Sequence, residues 1–262
     1  MIKTIPPTFS AKKLEFHIPD CWEKLTQQQL RYVCYALANY EGQSAKVYIL
    51  VRLLGLEVQY ETEKGWYCKT KLASGDRISF TLPTWQIMSF LKVVDFVDVP
   101  AHVPVCLFRI GKLTAVDPLF HGVSFSEYLQ IENLFQGYLF QHDDEFLVRM
   151  ALLMYADKWG RHPSSHKFKK EELVSIFQWY YSLKTRFSKE FTHFFERIDE
   201  DSEQNEEVPN MIEIMNNEIR ALTGGDITKE NTVLAMDCWR ALTELNEKAR
   251  EAKELKKKYG RK

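Results

Sequence analysis

His162 and His166 stand four residues apart, a spacing at which two imidazoles on one helix face can reach a single metal ion. A protein metal site needs three or four ligands. Pro163 lies between the two, and no carboxylate or third histidine nearby completes a set, so W-G-R-H-P-S-S-H reads as a surface loop. His142, Asp143, Asp144 and Glu145 could act as general acids and bases or as cation ligands. They lie between two apolar helical patterns and read instead as capping groups, because Asp at a helix start accepts from free backbone N–H groups and suits the dipole. Gly224-Gly225-Asp226 would hold phosphate only within a P-loop, whose GxxxxGK[ST] pattern after a strand is missing; the two glycines read as a helix stop.

An aromatic series could stack nucleobases: Phe177, Trp179, Tyr180, Tyr181, Phe187, Phe191, Phe194 and Phe195. Cations lie close by at Lys167, Lys169, Lys170, Lys184, Arg186 and Lys189. Base stacking needs exposed rings beside a basic groove, whereas rings at helical spacing read as core. GxSxG, HExxH, the dinucleotide-binding glycines and the kinase motifs do not occur. The expectation is a non-enzymatic protein with no cofactor, no metal and no small-molecule substrate. An enzyme built on a dispersed set that uses His142, His162 or nearby carboxylates is the remaining alternative.

Length and composition allow one large domain or two modest ones: 262 residues, 45% of them apolar, promise a sizeable core. The formal net charge of -1 argues against a dedicated nucleic-acid binder. Cys21, Cys34, Cys68, Cys106 and Cys238 are odd in number and scattered, which reads as buried thiols in a reducing, cytoplasmic setting. The first residues lack a signal-peptide core, and no run is long enough to span a membrane.

The elements follow from period and punctuation. Leu14, Phe16 and Ile18 alternate as a short strand would. Thr26 with Gln29 forms a capping box for a helix carrying Leu30, Val33, Cys34 and Leu37. A second helix after Ser44 stops at Gly55. The period then changes to two: Val58 to Leu82 reads as a three-stranded meander turning at Lys64-Gly65 and Ser74-Gly75-Asp76. Strands at Val105–Ile110 and Leu113–Val116 could extend it. From Ser124, with Glu127 as its capping-box partner, the chain is helical, including a long helix from Lys169 to Glu196. The fold class is mainly α with a small antiparallel β-meander: an α+β N-terminal part and an all-α C-terminal part. The expected divisions are 1–118, a helical unit 119–197 packed on it, an acidic linker 198–208, and a C-terminal hairpin with charged tail 209–262.

That hairpin places Ile212, Met215, Ile219 and Leu222 on one helical face, with Asn210 as cap and Glu213 as its capping-box partner. After the glycine stop, Thr228 caps a second helix with Leu234, Cys238, Ala241, Leu242 and Leu245 as its stripe and Trp239 beside it. Two helices cannot bury two such stripes alone. The hairpin must dock, either on a partner through Ile212, Met215, Ile219, Leu222, Leu234, Trp239, Leu242 and Leu245, or on the body of its own chain.

The stretches N-E-I-R-A-L-T-G-G-D-I-T-K-E and D-C-W-R-A-L-T-E-L-N, with the earlier F-H-I-P-D-C-W-E-K-L-T-Q-Q-Q-L-R-Y-V and F-S-E-Y-L-Q-I-E-N-L-F-Q-G-Y-L, carry a resemblance. They resemble uncharacterised proteins of prophage and contractile-tail gene clusters in Bacteroidota, found where a tail-assembly chaperone would be encoded. The resemblance implies a non-enzymatic assembly role with a tail-tube or tape-measure protein as client. It carries over no functional residue. A structural virion or nucleic-acid-associated phage protein, using the aromatic and basic helix, is the second expectation.

Overall fold

A computed structural model describes residues 16–71, 75–196 and 211–259. Trp22, in a 3-10 turn at Trp22–Lys24, is buried and donates through Nε1 to the Val99 carbonyl. Helix α1 (Gln27–Asn39) starts on the expected Thr26–Gln29 capping box, and α2 (Gly42–Leu53) folds back beside it. Leu30, Val33 and Cys34 of α1 face inward, as their spacing requires. Gly55 turns the chain out of α2 with a φ of 63°.

Strands β1 (Glu57–Thr62), β2 (Gly65–Lys71) and β3 (Arg77–Pro83) form the meander in the order β1-β2-β3, antiparallel throughout. Cys68 pairs with Phe80 and Trp66 with Leu82, so the period-two residues share a face. The first turn is Glu63-Lys64, one residue earlier than expected, because Gly65 already pairs with Thr62. Gly65 has a φ of 136°, and a Cβ there would meet the Leu82 carbonyl oxygen at 2.1 Å, so the position opposite Pro83 at the start of β2 admits only glycine. Residues 16–18 form no strand, and Leu14 lies outside the described residues, as does Ser74 of the second expected turn.

Helix α3 (Thr84–Leu91) and a 3-10 segment (Lys92–Asp98) lead to a second sheet. It is made of β4 (Arg109–Ile110), β5 (Leu113–Ala115) and, much later in the chain, β6 (Tyr155–Ala156). The strands expected about Gly111-Lys112 therefore do not extend the meander. Thr114 pairs with Ala156 instead.

Three long helices build the rest of the body: α4 (Phe125–Gln141), α5 (Asp144–Met154) and α6 (Lys170–Glu190). Ser124 and Glu127 make the capping box of α4. His142 ends α4 in the left-handed region, and the Asp143 carboxylate accepts from Glu145 N to start α5. Trp179, Tyr180, Leu183 and Phe187 of α6 are buried, as are Phe191 and Phe194 beyond it, so most of the aromatic series is core; Phe177 and Phe195 are half-buried and Tyr181 is exposed. The helix stops at Glu190 rather than at Glu196. Phe191 departs from helical geometry, and a separate turn at 192–196 is capped from outside by Asn246, whose Oδ1 accepts from His193 N and Phe194 N.

The C-terminal part contains α7 (Met211–Thr223), a 3-10 turn (Ile227–Lys229), α8 (Glu230–Leu234) and α9 (Cys238–Tyr259). Buried apolar side chains from Trp22 to Leu245 form one cluster, in which α1 lies along α6, so the expected units 1–118 and 119–197 share a core. The expected linker 198–208 lies outside the described residues, as does Asn210.

Candidate functional site

The hairpin is built differently from its expected form. Gly224 and Gly225, both at positive φ, end α7, and Gly225 N donates back to the Arg220 carbonyl. The next cap is Asp226, not Thr228: Asp226 Oδ1 accepts from Thr228 N at 3.1 Å and from its hydroxyl at 2.7 Å. The second helix is not continuous. It breaks between Leu234 and Cys238, where Asp237 Oδ1 accepts from Trp239 N and Arg240 N and Oδ2 accepts from Gly122 N at 2.7 Å. Phe125 N donates to the Met236 carbonyl and Cys238 N to the Val123 carbonyl. The break thus clasps the start of α9 to the start of α4, and a straight helix would lose all these bonds.

Trp239 lies in that clasp. Its Nε1 donates to the Leu119 carbonyl, its ring stands on edge to Phe187 and Phe191, and it stacks on His121 at 5.0 Å. Leu242 and Leu245 are buried in the common core, and Leu234 is half-buried against it. For Leu234, Trp239, Leu242 and Leu245 the docking partner in the structure is therefore the chain's own body, the second of the two arrangements the sequence allows. The physical reason is the clasp, whose bonds fix the start of α9 against the start of α4.

Helix α7 differs. Met215, Ile219 and Leu222 are half-buried against the core, Ile212 is 69% exposed, and only Thr223 of this helix is buried. The eight candidate residues therefore fall into an inner set on α8 and α9 and an outer set on α7.

Beneath α7 lies a polar seat that the sequence analysis missed. Glu132 of α4 pairs with Lys184 of α6, and it accepts from Tyr180 at 2.7 Å and Gln136 at 2.6 Å. Burial alone would raise the Glu132 carboxyl, but the Lys184 ammonium and these bonds outweigh it and hold it below the usual range. Glu218 of α7 has no such support. Its Oε2 is sealed from solvent with no hydrogen-bond partner. Burial, with the Glu132 charge adding and Lys184 only partly offsetting, pushes its carboxyl up to about 8. The signal was present in the sequence: Glu218 falls between Met215 and Leu222 on the apolar stripe, and Glu132 between Tyr128 and Phe135.

A second constellation has the residue types of a hydrolase but not the order. Ser124 Oγ donates to Glu127 Oε2 at 2.6 Å, and His162 lies between the Tyr155 carbonyl (Nδ1, 3.0 Å) and Glu127 Oε1 (Nε2, 3.0 Å). Activation of a serine needs the imidazole against the hydroxyl. Here the carboxylate stands between them, and Ser124 is occupied as the cap of α4. Burial would raise the Glu127 carboxyl, but the Ser124 bonds and the His162 ring hold it below the usual range. His166 turns elsewhere, edge-on to Phe168. Among the described residues no group of three or more His, Cys, Asp or Glu is placed to hold a metal ion. Burial pushes the Cys34, Cys106 and Cys238 thiols up to about 12, which removes their thiolate character near neutral pH. No helix among the described residues is long and apolar enough to cross a membrane. Comparison of the chain with protein-family models, with curated proteins and with solved structures found no match in any of the three.

Proposed function

We propose that this protein is a non-enzymatic assembly protein, a chaperone or adaptor of a phage-like tail, that acts by protein–protein contact through α7. The client is a tail-tube or tape-measure protein, as the resemblance of the hairpin implies. The observation that carries the reading is the seating of α7. It is amphipathic, yet none of its large apolar side chains is buried, and it holds an unpartnered carboxyl against the body. A helix seated in this way is held weakly, because burying an unpaired carboxyl costs more than its flanking apolar contacts easily offset. Its apolar face is then available to a groove on another protein, in the helix-in-groove mode.

The test is co-expression with a phage-like tail-tube protein and with a tape-measure protein, followed by affinity capture. A stable complex is expected, weakened at least about tenfold by Ile219→Glu, since a charge in an interface core removes a central apolar anchor. Capture of neither client by the wild-type protein, or capture indifferent to Ile219→Glu in a folded variant, would rule the reading out.

A further inference from the structure

At the far end of the second sheet, a five-residue turn is built around one carboxylate. Asp157 N donates to the Arg161 carbonyl at 2.9 Å, and Gly160 N donates to the Asp157 carbonyl at 3.0 Å. Asp157 Oδ1 accepts from Trp159 N and Arg161 N, while Oδ2 accepts from Nε and an Nη of the Arg161 guanidinium. Gly160 supplies the left-handed step, with a φ of 77°. All of this order presents a tryptophan to solvent: Trp159 is 67% exposed. Lys158 Nζ lies 4.2 Å and the Arg161 guanidinium 4.6 Å from the centre of its ring. A core does not need this residue, and a mobile loop would not hold it in one place.

The surroundings of the turn are cationic. Residues 158–170 contain no Asp or Glu. The pairing of Thr114 with Ala156 brings the β4–β5 turn alongside, and Gly111 of that turn faces the His166 ring. Lys112, Lys158, Lys167 and Lys170 are exposed, and among the described residues none of them pairs with a carboxylate. The neighbouring acids are engaged: Asp157 by Arg161, Glu127 by His162, and Glu172 by Arg31.

We infer that the Trp159 turn, with Lys112, Lys158 and Lys167, is a binding face for single-stranded nucleic acid. Such a strand offers both groups the face requires, phosphates for the unpaired lysines and an unstacked base for the indole. An acidic polypeptide would satisfy the lysines and leave the indole without a planar partner. A duplex keeps its bases stacked inside. When a base lies on the indole, the flexible Lys158 side chain leaves the ring and reaches a phosphate, while Arg161 stays fixed by Asp157. This site is remote in purpose from α7 and does not depend on the tail-assembly reading.

The test is fluorescence anisotropy with a labelled oligothymidine of about 15 nucleotides, close to the span of one strand-binding module. Binding should weaken with added salt, as release of counterions requires. Trp159→Ala should lower affinity about fivefold or more, the loss of one stacked base. Lys167→Glu should lower it further and flatten the salt dependence by about one contact. Three results would each overturn the inference: no binding at low salt, equal affinity for the duplex of the same length, or binding unchanged by Trp159→Ala. Binding of polyglutamate in preference to the oligonucleotide would also overturn it, in favour of an acidic protein surface.

Discussion

Glu218→Gln keeps the shape of the protonated carboxyl and removes its titration. In the folded protein this carboxyl is pushed up to about 8, whereas its ordinary value is 4.5. The folded state therefore holds a proton that the unfolded or undocked α7 gives up. Stability from this group is fully present below 4.5 and is lost as pH rises through about 8. The slope is about 1.4 kcal/mol per pH unit, so the whole window is worth at most about 5 kcal/mol. Glu218 retains some solvent contact as a residue, and relaxation of α7 discounts that ceiling to about 2 kcal/mol. The variant should thus seat α7 more firmly at pH 8 by about 2 kcal/mol and match the wild type near pH 5. Hydrogen exchange of the α7 amides, corrected for intrinsic rates, reads this directly. Wild-type protection should fall with rising pH while that of the variant stays level. A variant with the wild-type pH slope, or one less protected at pH 8, would refute the reasoning. If α7 is the client-binding helix, firmer seating should also weaken client capture, so stability and binding should move in opposite directions.

Trp239→Ala removes a ring that packs on Phe187, Phe191 and His121 and leaves the Leu119 carbonyl without its donor; global unfolding by denaturant should be easier by about 3–5 kcal/mol. An unchanged midpoint would contradict the placement of this ring in the body. Lys184→Met strands the Glu132 carboxylate and should cost about 3–5 kcal/mol, with partial recovery in the double variant that adds Glu132→Gln. Failure of the second change to recover stability would show that Lys184 acts by packing and not by charge. Asp237→Ala deletes the acceptor of Gly122 N, Trp239 N and Arg240 N and should lower stability by about 2 kcal/mol, with Asp237→Asn intermediate, as thermal melts would show.

Local signals were legible in the sequence. The capping boxes at Thr26 and Ser124 involve residues three apart, and both form as read; the distant His162 takes Oε1 of Glu127 and leaves Oε2 to Ser124. The meander was legible for the same reason: its strands are neighbours in the chain and carry their own alternation. The second sheet was not. Its strands are two or three residues long, too short to show a period, and β6 joins from the end of α5. The break before Cys238 was hidden because Asp237 reads as an ordinary exposed helix residue until Gly122 is beside it. Glu218 was visible as a carboxylate on an apolar stripe, but only the placement of Glu132 and Lys184 around it gives it a consequence. The split of the hairpin into a buried α9 and a half-buried α7 could not be read from stripes of similar apolarity.

The clasp between α4 and α9 also sets an order of events during synthesis. Phe187 and Phe191 leave the ribosome before Trp239, the ring that covers them, and about 50 residues must be added in between. At typical elongation rates that interval lasts roughly 3–10 s, far longer than helix formation. Throughout it, the nascent helical body carries uncovered aromatic rings and the exposed Gly122 and Phe125 amides. A chain that stops short of Asp237 keeps that surface permanently, so premature termination in this region should yield an aggregating product rather than a smaller folded one.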